Sequence, residues 1–298
     1  MACIGNKRIS DRLHLRFQGI SRPVELEAAA DLLPAIKTVF RAWPWHHLSR
    51  LSPLEPIIVL RREGPGYIRY SPWTSKREVD DNPADAMCDF VSDVIDAYLE
   101  NRANILGLHA AAVRMADGLV VFPSSHRSGK SLLAMNLVRR GGELYSDDVL
   151  LLPASTGQGM ATGIAPRLRL PLPPGVSAGL AGYLERDGWC ANQRYGWPRL
   201  APPEIAALGT RAPVRAIVTL HREQHEGAPN MAPMTSSEGL KTLVKQGFAL
   251  NAPVGIVLSR LSALVTGAPC YRLTYADPSA AADLLCRTFG LPDKTPRS

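Results

Sequence analysis

Hydrophobic and polar residues alternate with a period of two along several segments in the first part of the chain. Residues 13–18 alternate strictly, which predicts a half-buried strand. Residues 57–62 and 67–70 flank the tetrapeptide Glu-Gly-Pro-Gly, and this pattern predicts a β-hairpin. Residues 25–43 have a helical composition that ends at a Trp-Pro-Trp group, so we expect a helix there.

A period of three to four residues follows, and it is the clearest helical pattern in the chain. Asn82 is placed to cap this helix and Pro83 occupies a tolerated first-turn position. The apolar residues that predict one buried face are Met87, Phe90, Val91, Val94, Ile95, Tyr98 and Leu99. Beyond residue 102 the sequence changes to a β-type composition. We therefore expect a small mixed α+β domain over residues 1–102 and a second domain over residues 103–298.

The second domain begins with the order of elements that is typical of a strand, a phosphate-binding loop and a helix on a mixed sheet. The predicted elements are strands at 105–113, 119–122 and 149–152, with a turn at 117–118 and a helix at 130–140. Later patterns predict a strand at 214–220, a helix at 237–245 and a strand at 271–275 between two helices. The fold class is therefore α/β.

Composition limits the classes of function without selecting one. No apolar run is long enough to cross a bilayer and the first residues lack a signal-type apolar region, so we expect a cytoplasmic protein with no membrane partner. The five cysteines and seven histidines form no metal or disulfide pattern. A net charge of +7 favours anionic ligands. Because the basic residues are dispersed, we do not expect nucleic-acid binding.

Gly129, Lys130 and Ser131 carry the strongest chemical signal. They follow a predicted strand and open a predicted helix, where backbone amides bind phosphate, a lysine adds charge and a hydroxyl coordinates magnesium. The full motif has glycine where this chain has Ser124, so a plain turn into a helix remains an alternative. The predicted nucleotide-binding residues are Ser125, His126, Arg127, Ser128, Gly129, Lys130, Ser131 and Leu132.

Asp147 and Asp148 follow at the distance where phosphoryl-transfer sites carry carboxylates. One carboxylate can hold a metal and another can accept the proton of an attacking hydroxyl. Adjacent residues on a strand point to opposite faces, so we expect a bend to bring the pair together. An acidic turn is the alternative for these two residues.

Residues 108–152 resemble the catalytic domain of the HPr kinase/phosphorylase family. The resemblance lies in His109 followed by three alanines, the loop ending at Ser131, the Arg-Gly pair at 140–141 and the two aspartates. It implies a P-loop fold of the HPr kinase-like and PEP carboxykinase-like type that uses ATP and Mg²⁺. It also implies that Lys130 binds the β and γ phosphates, that Ser131 and Asp147 hold the metal, and that Asp147, Asp148 and His109 are catalytic. A core histidine is the alternative for His109.

The resemblance favours an ATP-dependent serine kinase acting on a peptide or small protein, such as the precursor of a lasso-type peptide. Arg167 and Arg169 are candidates for contact with phosphate or substrate, or are exposed arginines of a strand. The first domain is expected to hold the peptide at an open sheet edge near residues 57–70. A nucleotide-binding scaffold without catalysis and a small-metabolite kinase remain alternatives. The sequence leaves open a homo-oligomer, the substrate serine and the preference for ATP over GTP or pyrophosphate.

Overall fold

The computed structural model describes residues 11–74, 79–123, 128–154, 157–173, 176–186, 190–223, 227–248 and 252–291. The fold is mixed α/β, as the sequence predicts. The chain divides into two units. The first comprises Met1–Lys37 and Pro44–Tyr98, and the second comprises Thr38–Trp43 and Leu99–Ser298.

The first unit contains a six-stranded sheet with the order β3-β1-β2-β4-β5-β6. Only the pairing of β2 with β4 is parallel among the described strands of this sheet. The elements are β1 (Arg12–Phe17), β2 (Val24–Glu27), α1 (Leu33–Val39), β3 (Trp45–His47), β4 (Ile58–Glu63), β5 (Gly66–Tyr70), β6 (Val79–Asp80) and α2 (Pro83–Leu99). The predicted first strand and the hairpin of β4 with β5 are confirmed. The final residues of α1, from Thr38 onward, belong to the second unit.

The prediction of one helix over residues 25–43 is wrong. Its first part is strand β2, and the α-helix covers only Leu33–Val39. Glu25 is buried in β2, where it lies 2.9 Å from the Nε2 atom of His14. Glu27 is also buried and accepts a hydrogen bond from Arg61 on the neighbouring strand β4. These two carboxylates are therefore buried and paired. The prediction of a helix was wrong because it treated them as exposed polar positions.

The hairpin near which the sequence suggested an open edge for peptide binding lies inside the six-stranded sheet. Strand β4 lies between β2 and β5, and β5 pairs with β6 at Tyr67 and Ile68. The strands at the two ends of the described sheet are β3 and β6. Both edges of β4 are therefore paired, and the outer edge of β5 is paired at Tyr67 and Ile68.

Helix α2 confirms the predicted amphipathic pattern and its cap. The Oδ1 atom of Asn82 accepts hydrogen bonds from the backbone N–H groups of Ala84 and Asp85, both at 3.1 Å. Phe90 is fully buried and packs edge to face against Phe17 of β1, with ring centroids 6.0 Å apart. The apolar face of the helix therefore packs onto the sheet of the first unit.

The second unit is built on a nine-stranded mixed sheet, with a separate three-stranded sheet β12-β14-β13. Its strands are β7 (Leu106–Met115), β8 (Gly118–Pro123), β9 (Glu143–Ser146), β10 (Val149–Leu152), β11 (Gln158–Met160), β12 (Leu168–Arg169), β13 (Cys190–Ala191), β14 (Tyr195–Trp197), β15 (Arg211–Arg222), β16 (Asn230–Met234), β17 (Gly247–Phe248) and β18 (Cys270–Tyr275). Its helices are α3 (Lys130–Arg139), α4 (Ala178–Leu184), α5 (Ser236–Gln246), α6 (Val254–Gly267) and α7 (Pro278–Phe289).

Alternating side chains of the central strands enter two hydrophobic clusters, one on each face of the sheet. On β8, Val120 and Phe122 pack with residues of α3 and α7, whereas Leu119 and Val121 pack with residues of α5 and α6. This alternation explains the continuous apolar run of β8, because both faces of the strand are covered by helices. Among the described residues, no helix combines the length and the apolar composition needed to cross a bilayer.

Candidate active site

Strand ends gather the polar residues of the second unit at one edge of its sheet. Strand β15 pairs in parallel with both β8 and β18, so the carboxyl ends of these three strands lie side by side. Arg222 and Tyr275 are register partners at the ends of β15 and β18. On β7, Ala110 pairs with Pro123 at the end of β8, which brings His109 to the same edge. Ligand sites of open α/β sheets form at such carboxyl ends.

Helix α3 begins at this edge with the predicted phosphate-binding residues. Gly129 precedes the helix in the left-handed region, at φ +87°, a conformation that glycine adopts without steric cost. Lys130 and Ser131 are the first residues of the helix. Backbone N–H groups at a helix start have no partner within the helix, so this end of α3 can bind an anion.

Tyr275 packs against the residues that precede α3. Its hydroxyl donates a hydrogen bond to the backbone carbonyl of Ser128 at 3.0 Å. A Cβ atom at Gly129 would lie only 2.7 Å from the same hydroxyl. The side chain is 1% exposed, and this burial raises the pKa of Tyr275 to about 12. A neutral tyrosine on β18 therefore fixes the position of Ser128 and Gly129.

Asp147 lies in the bend between β9 and β10 and is buried. One oxygen, Oδ2, accepts a hydrogen bond from the backbone N–H of Arg167 at 2.9 Å. Burial, and then the charge of Asp148, raise the pKa of Asp147 to about 6, although hydrogen bonding from Ser131 and the charge of Lys130 act in the opposite direction. Its position beside Ser131 connects the acidic bend with the start of α3.

Asp148 is the more exposed member of the acidic pair. Its Oδ1 atom lies 3.1 Å from Nδ1 of His109, and half of its side chain is exposed to solvent. The backbone carbonyl of Asp148 accepts a hydrogen bond from Ala110 at 3.0 Å, and the Ser146 hydroxyl donates to the Ala110 carbonyl at 2.9 Å. These bonds hold the bend against β7 and keep the carboxylate next to the imidazole.

Lys130 is 8% exposed, which is unusual for a lysine. Burial lowers its pKa, and the charges of Asp148 and Asp147 oppose that shift. The two carboxylates therefore stabilise the charged form of a largely desolvated ammonium group. A buried cation at a helix start is suited to an anionic ligand, since the ligand supplies charge that the solvent does not.

The start of α3, the acidic bend and His109 line one cavity of about 310 Å³. Its wall includes residues from the start of α3, from β7, from the acidic bend and from the segment at β12, namely Ser128, Gly129, Lys130, Ser131, Leu132, His109, Asp147, Asp148, Arg167 and Arg169. Arg169 is exposed on β12, and the guanidinium of Arg167 also lies over the ring of Tyr195 at 5.2 Å. Ser125, His126 and Arg127, as well as Ser124, lie outside the described residues. The structure thus brings together every predicted site residue that it describes.

Sequence reasoning missed Arg222 and Tyr275. Arg222 lines the same cavity, and its Cδ atom lies 4.0 Å from an ideal Cβ at Gly129. Arg222 lies at the carboxyl end of β15, which pairs in parallel with β8, the strand before the loop. Tyr275 lies at the carboxyl end of β18, which pairs in parallel with β15. The signal that would have found them is this position at the ends of parallel strands, which requires the strand order to be known.

Two buried oxygen atoms in the cavity are suited to a metal ion and a phosphate group. Oδ1 of Asp147 and Oγ of Ser128 are buried and accept or donate no hydrogen bond within the described part of the chain. Among the described residues, no group of three or more His, Cys, Asp and Glu side chains could hold a metal. Magnesium does not require such a group, because it commonly binds one or two protein oxygens together with phosphate oxygens and water. The donors present therefore fit Mg²⁺ bound together with a phosphorylated ligand.

Comparisons with known proteins add little to this geometry. No family model matches the chain, and no curated protein matches its sequence. Among solved structures, the chain is similar to the Hpr(Ser) kinase/phosphatase from Coxiella burnetii, with 13% identity and a TM-score of 0.31. The match covers 61% of this chain and 95% of that one. This identity and TM-score are too low to support a functional assignment, which therefore depends on the residues of the cavity.

Proposed function

We propose that the second unit is an ATP- and Mg²⁺-dependent kinase of the HPr kinase-like type that phosphorylates a serine hydroxyl. One observation carries the proposal: a buried lysine at the start of α3 shares a cavity with a buried carboxylate and with a half-exposed carboxylate that is paired with an imidazole. Phosphoryl transfer needs little covalent chemistry from the protein. It needs cations and amides on the phosphates, oxygen ligands for the metal and a group that accepts the hydroxyl proton.

The residues at the start of α3 are assigned to the phosphates. Lys130 neutralises charge on the β and γ phosphates, and the backbone amides that follow Gly129 donate to their oxygens. Ser131 and Asp147 would hold Mg²⁺, which when bound neutralises charge that develops between the β and γ phosphates. The buried, unpartnered Oδ1 of Asp147 supports this assignment.

Asp148 is assigned as the base. Its carboxylate is half exposed and is oriented by His109, whereas Asp147 is buried and tied to the Arg167 backbone. In the transfer step the serine oxygen forms a bond to the γ phosphorus while the bond from that phosphorus to the β–γ bridging oxygen breaks. The hydroxyl proton passes to the carboxylate of Asp148, and ADP leaves with the bridging oxygen.

The acceptor is assigned to the class of peptides and small proteins, in the cytoplasm, where ATP is available. An acceptor serine must enter a cavity of about 310 Å³ that the nucleotide also occupies, and a serine on an extended segment can do so. The first unit remains the proposed peptide-holding domain. A lasso-type precursor peptide is the first candidate to test.

The test is phosphate transfer to candidate peptides by the intact protein with ATP and Mg²⁺, followed by mass spectrometry. We expect a single phosphate on a serine, and we expect Asp148→Asn to abolish it. Asp117 is an exposed aspartate outside the cavity, so Asp117→Asn is the matched control and should retain full activity. Tight ATP binding without transfer to any acceptor would instead indicate a nucleotide-binding scaffold. Transfer to a small hydroxylated molecule alone would indicate a metabolite kinase.

A further inference from the structure

A second, larger cavity adjoins the one described above. Its volume is about 1100 Å³, and it shares Leu132, Pro173 and Arg222 with the smaller cavity. From these shared residues it extends along α3 to Asn136 and reaches the first turn of α7. Neither His109 nor Asp148 lines it. The two cavities therefore share a wall at Arg222, and the carboxylate–imidazole pair belongs only to the smaller one.

We propose that the larger cavity takes the nucleoside part of the nucleotide and that Arg222 binds its phosphate chain where the two cavities meet. This inference rests on the proposed function and defines the direction in which the nucleotide lies. The acceptor hydroxyl then enters from the opposite end, beside His109 and Asp148.

Charge distinguishes the two cavities. The smaller cavity is lined by Lys130 and by the arginines at 167, 169 and 222, together with two carboxylates. The larger cavity has Arg222 as its cation among the described wall residues, against the carboxylates of Glu223 and Asp277. A polyanionic phosphate chain is favoured in the first environment and opposed in the second. The uncharged nucleoside, whose ribose hydroxyls can donate to carboxylates, is favoured in the second.

Volume and chain direction agree with this division. Ligand pockets span about 300–1,000 Å³, so a cavity of about 310 Å³ is at the lower end for a nucleotide and an acceptor group together. Leu132 follows Ser131 in the first turn of α3 and lines both cavities. A phosphate chain that starts at Lys130 and passes over this turn therefore leads into the larger cavity.

Arg222 is placed to contact the chain at this junction. It is exposed at the end of β15 and makes no hydrogen bond or ion pair with the described part of the chain. Its Cδ atom lies 4.0 Å from an ideal Cβ position at Gly129, so the side chain is beside that residue. Its charge also opposes the rise in the pKa of Tyr275. A guanidinium in this position can donate two parallel hydrogen bonds to phosphate oxygens.

The experiment compares Mg²⁺-ATP with Mg²⁺-tripolyphosphate, which has the phosphate chain but no nucleoside, by isothermal titration calorimetry. Arg222→Gln should lower the affinity for both ligands by about tenfold or more. Val176→Trp and Ala228→Trp fill the larger cavity from two different wall segments. Each should lower the affinity for Mg²⁺-ATP by about tenfold or more, while the affinity for Mg²⁺-tripolyphosphate stays within about twofold of wild type. Thermal unfolding without ligand checks that each variant is folded.

The matched control is Arg215→Gln, because Arg215 is an exposed arginine on the same strand and lines neither cavity. It should bind both ligands like wild type. If both folded tryptophan variants bind ATP normally, or if Arg222→Gln resembles Arg215→Gln, the placement of the nucleotide is overturned while the kinase proposal stands. If the wild-type protein binds neither ligand, the proposed function itself is overturned.

Discussion

At the scale of single residues, the site depends on a lysine that is largely removed from solvent. Lys130 is 8% exposed, and its pKa is lowered by burial. The charges of Asp148 and Asp147 act in the opposite direction and raise it. A phosphate group therefore replaces missing solvation as well as adding charge attraction, which makes the lysine important for binding and costly for stability.

Lys130→Met tests this role, because methionine keeps the apolar stem of the side chain and removes the ammonium group. We expect affinity for Mg²⁺-ATP to fall by about 10- to 100-fold, as for the loss of charged hydrogen bonds, and we expect the ligand-free protein to unfold at the same or a higher temperature. Titration calorimetry and thermal unfolding measure the two effects. Unchanged nucleotide affinity would remove the basis for a phosphate site at this helix.

Gly129 and Tyr275 form a second residue-scale unit that a double-mutant cycle can dissect. Gly129→Ala introduces strain at φ +87° and a contact of 2.7 Å with the tyrosine hydroxyl. Tyr275→Phe removes that oxygen and one hydrogen bond, at a cost of about 1 kcal/mol. We expect the double variant to lose less stability and less ATP affinity than the sum of the single variants, because the close contact is absent from it.

The control for this cycle is Gly209→Ala. Gly209 has nearly the same φ, at +88°, and an added Cβ there meets no atom within 4 Å. It reports the backbone strain alone, which is about 1–2 kcal/mol. Urea titration gives the free energy of unfolding of each variant. If the losses from Gly129→Ala and Tyr275→Phe simply add in the double variant, the contact between Gly129 and Tyr275 is contradicted.

At the scale of elements, the start of α7 is fixed by a side-chain cap at the wall of the larger cavity. The carboxylate of Asp277 accepts hydrogen bonds from the backbone N–H groups of Ser279 and Ala280, at 2.8 and 3.1 Å. Near the end of α3, Arg140 donates to Asp283 and Ser279 of the same helix α7. The cap therefore affects the position of a cavity wall as well as the stability of one helix.

Asp277→Ala should lower the free energy of unfolding by about 1 kcal/mol, since alanine cannot accept the hydrogen bonds of the first turn. Asp277→Asn should stay within a few tenths of a kcal/mol of wild type, because asparagine caps helices as well as aspartate does. Urea unfolding of the ligand-free protein measures both. Equal losses in the two variants would mean that the charge of Asp277, and not its cap, supports the helix.

Elements with local patterns were predictable, and elements that depend on distant partners were not. The amphipathic face and the cap of α2 lie within its own sequence, so the prediction was confirmed. The prediction at β2 was wrong because its two glutamates are buried by contacts with His14 and Arg61, which lie on other strands. The same reason applies to the site. Its loop residues follow a local motif, whereas Arg222 joins them only through the parallel pairing of β15 with β8.

At the scale of the whole molecule, the proposed nucleotide site and the perturbed carboxylate of Asp96 lie in different units. All described residues that line the two cavities belong to the second unit. The first unit has its own sheet, its own core and its own perturbed carboxylate. Asp96 on α2 has a pKa raised to about 6, first by burial and then by the charge of Asp93. A change at Asp96 should therefore alter stability without altering nucleotide binding.

The expected pH dependence follows from the direction of this shift. Because the pKa of Asp96 is higher in the folded state than the usual 3.8, ionisation above about pH 6 costs the folded state stability. As pH falls from 6 towards 4, the folded state binds the proton before the unfolded state does, so that cost disappears. Asp96→Asn should therefore stabilise the protein by about 1–2 kcal/mol at pH 7.5, and this gain should vanish near pH 4.

Urea unfolding of the intact protein at both pH values measures the gain, with Asp81→Asn as the control at an exposed aspartate. The control should show no gain at either pH. A gain that is equal at pH 4 and pH 7.5 would assign the effect of Asp96→Asn to packing and not to charge. Since no described cavity residue comes from the first unit, Asp96→Asn should bind Mg²⁺-ATP with wild-type affinity. A change in that affinity would show that the first unit takes part in nucleotide binding.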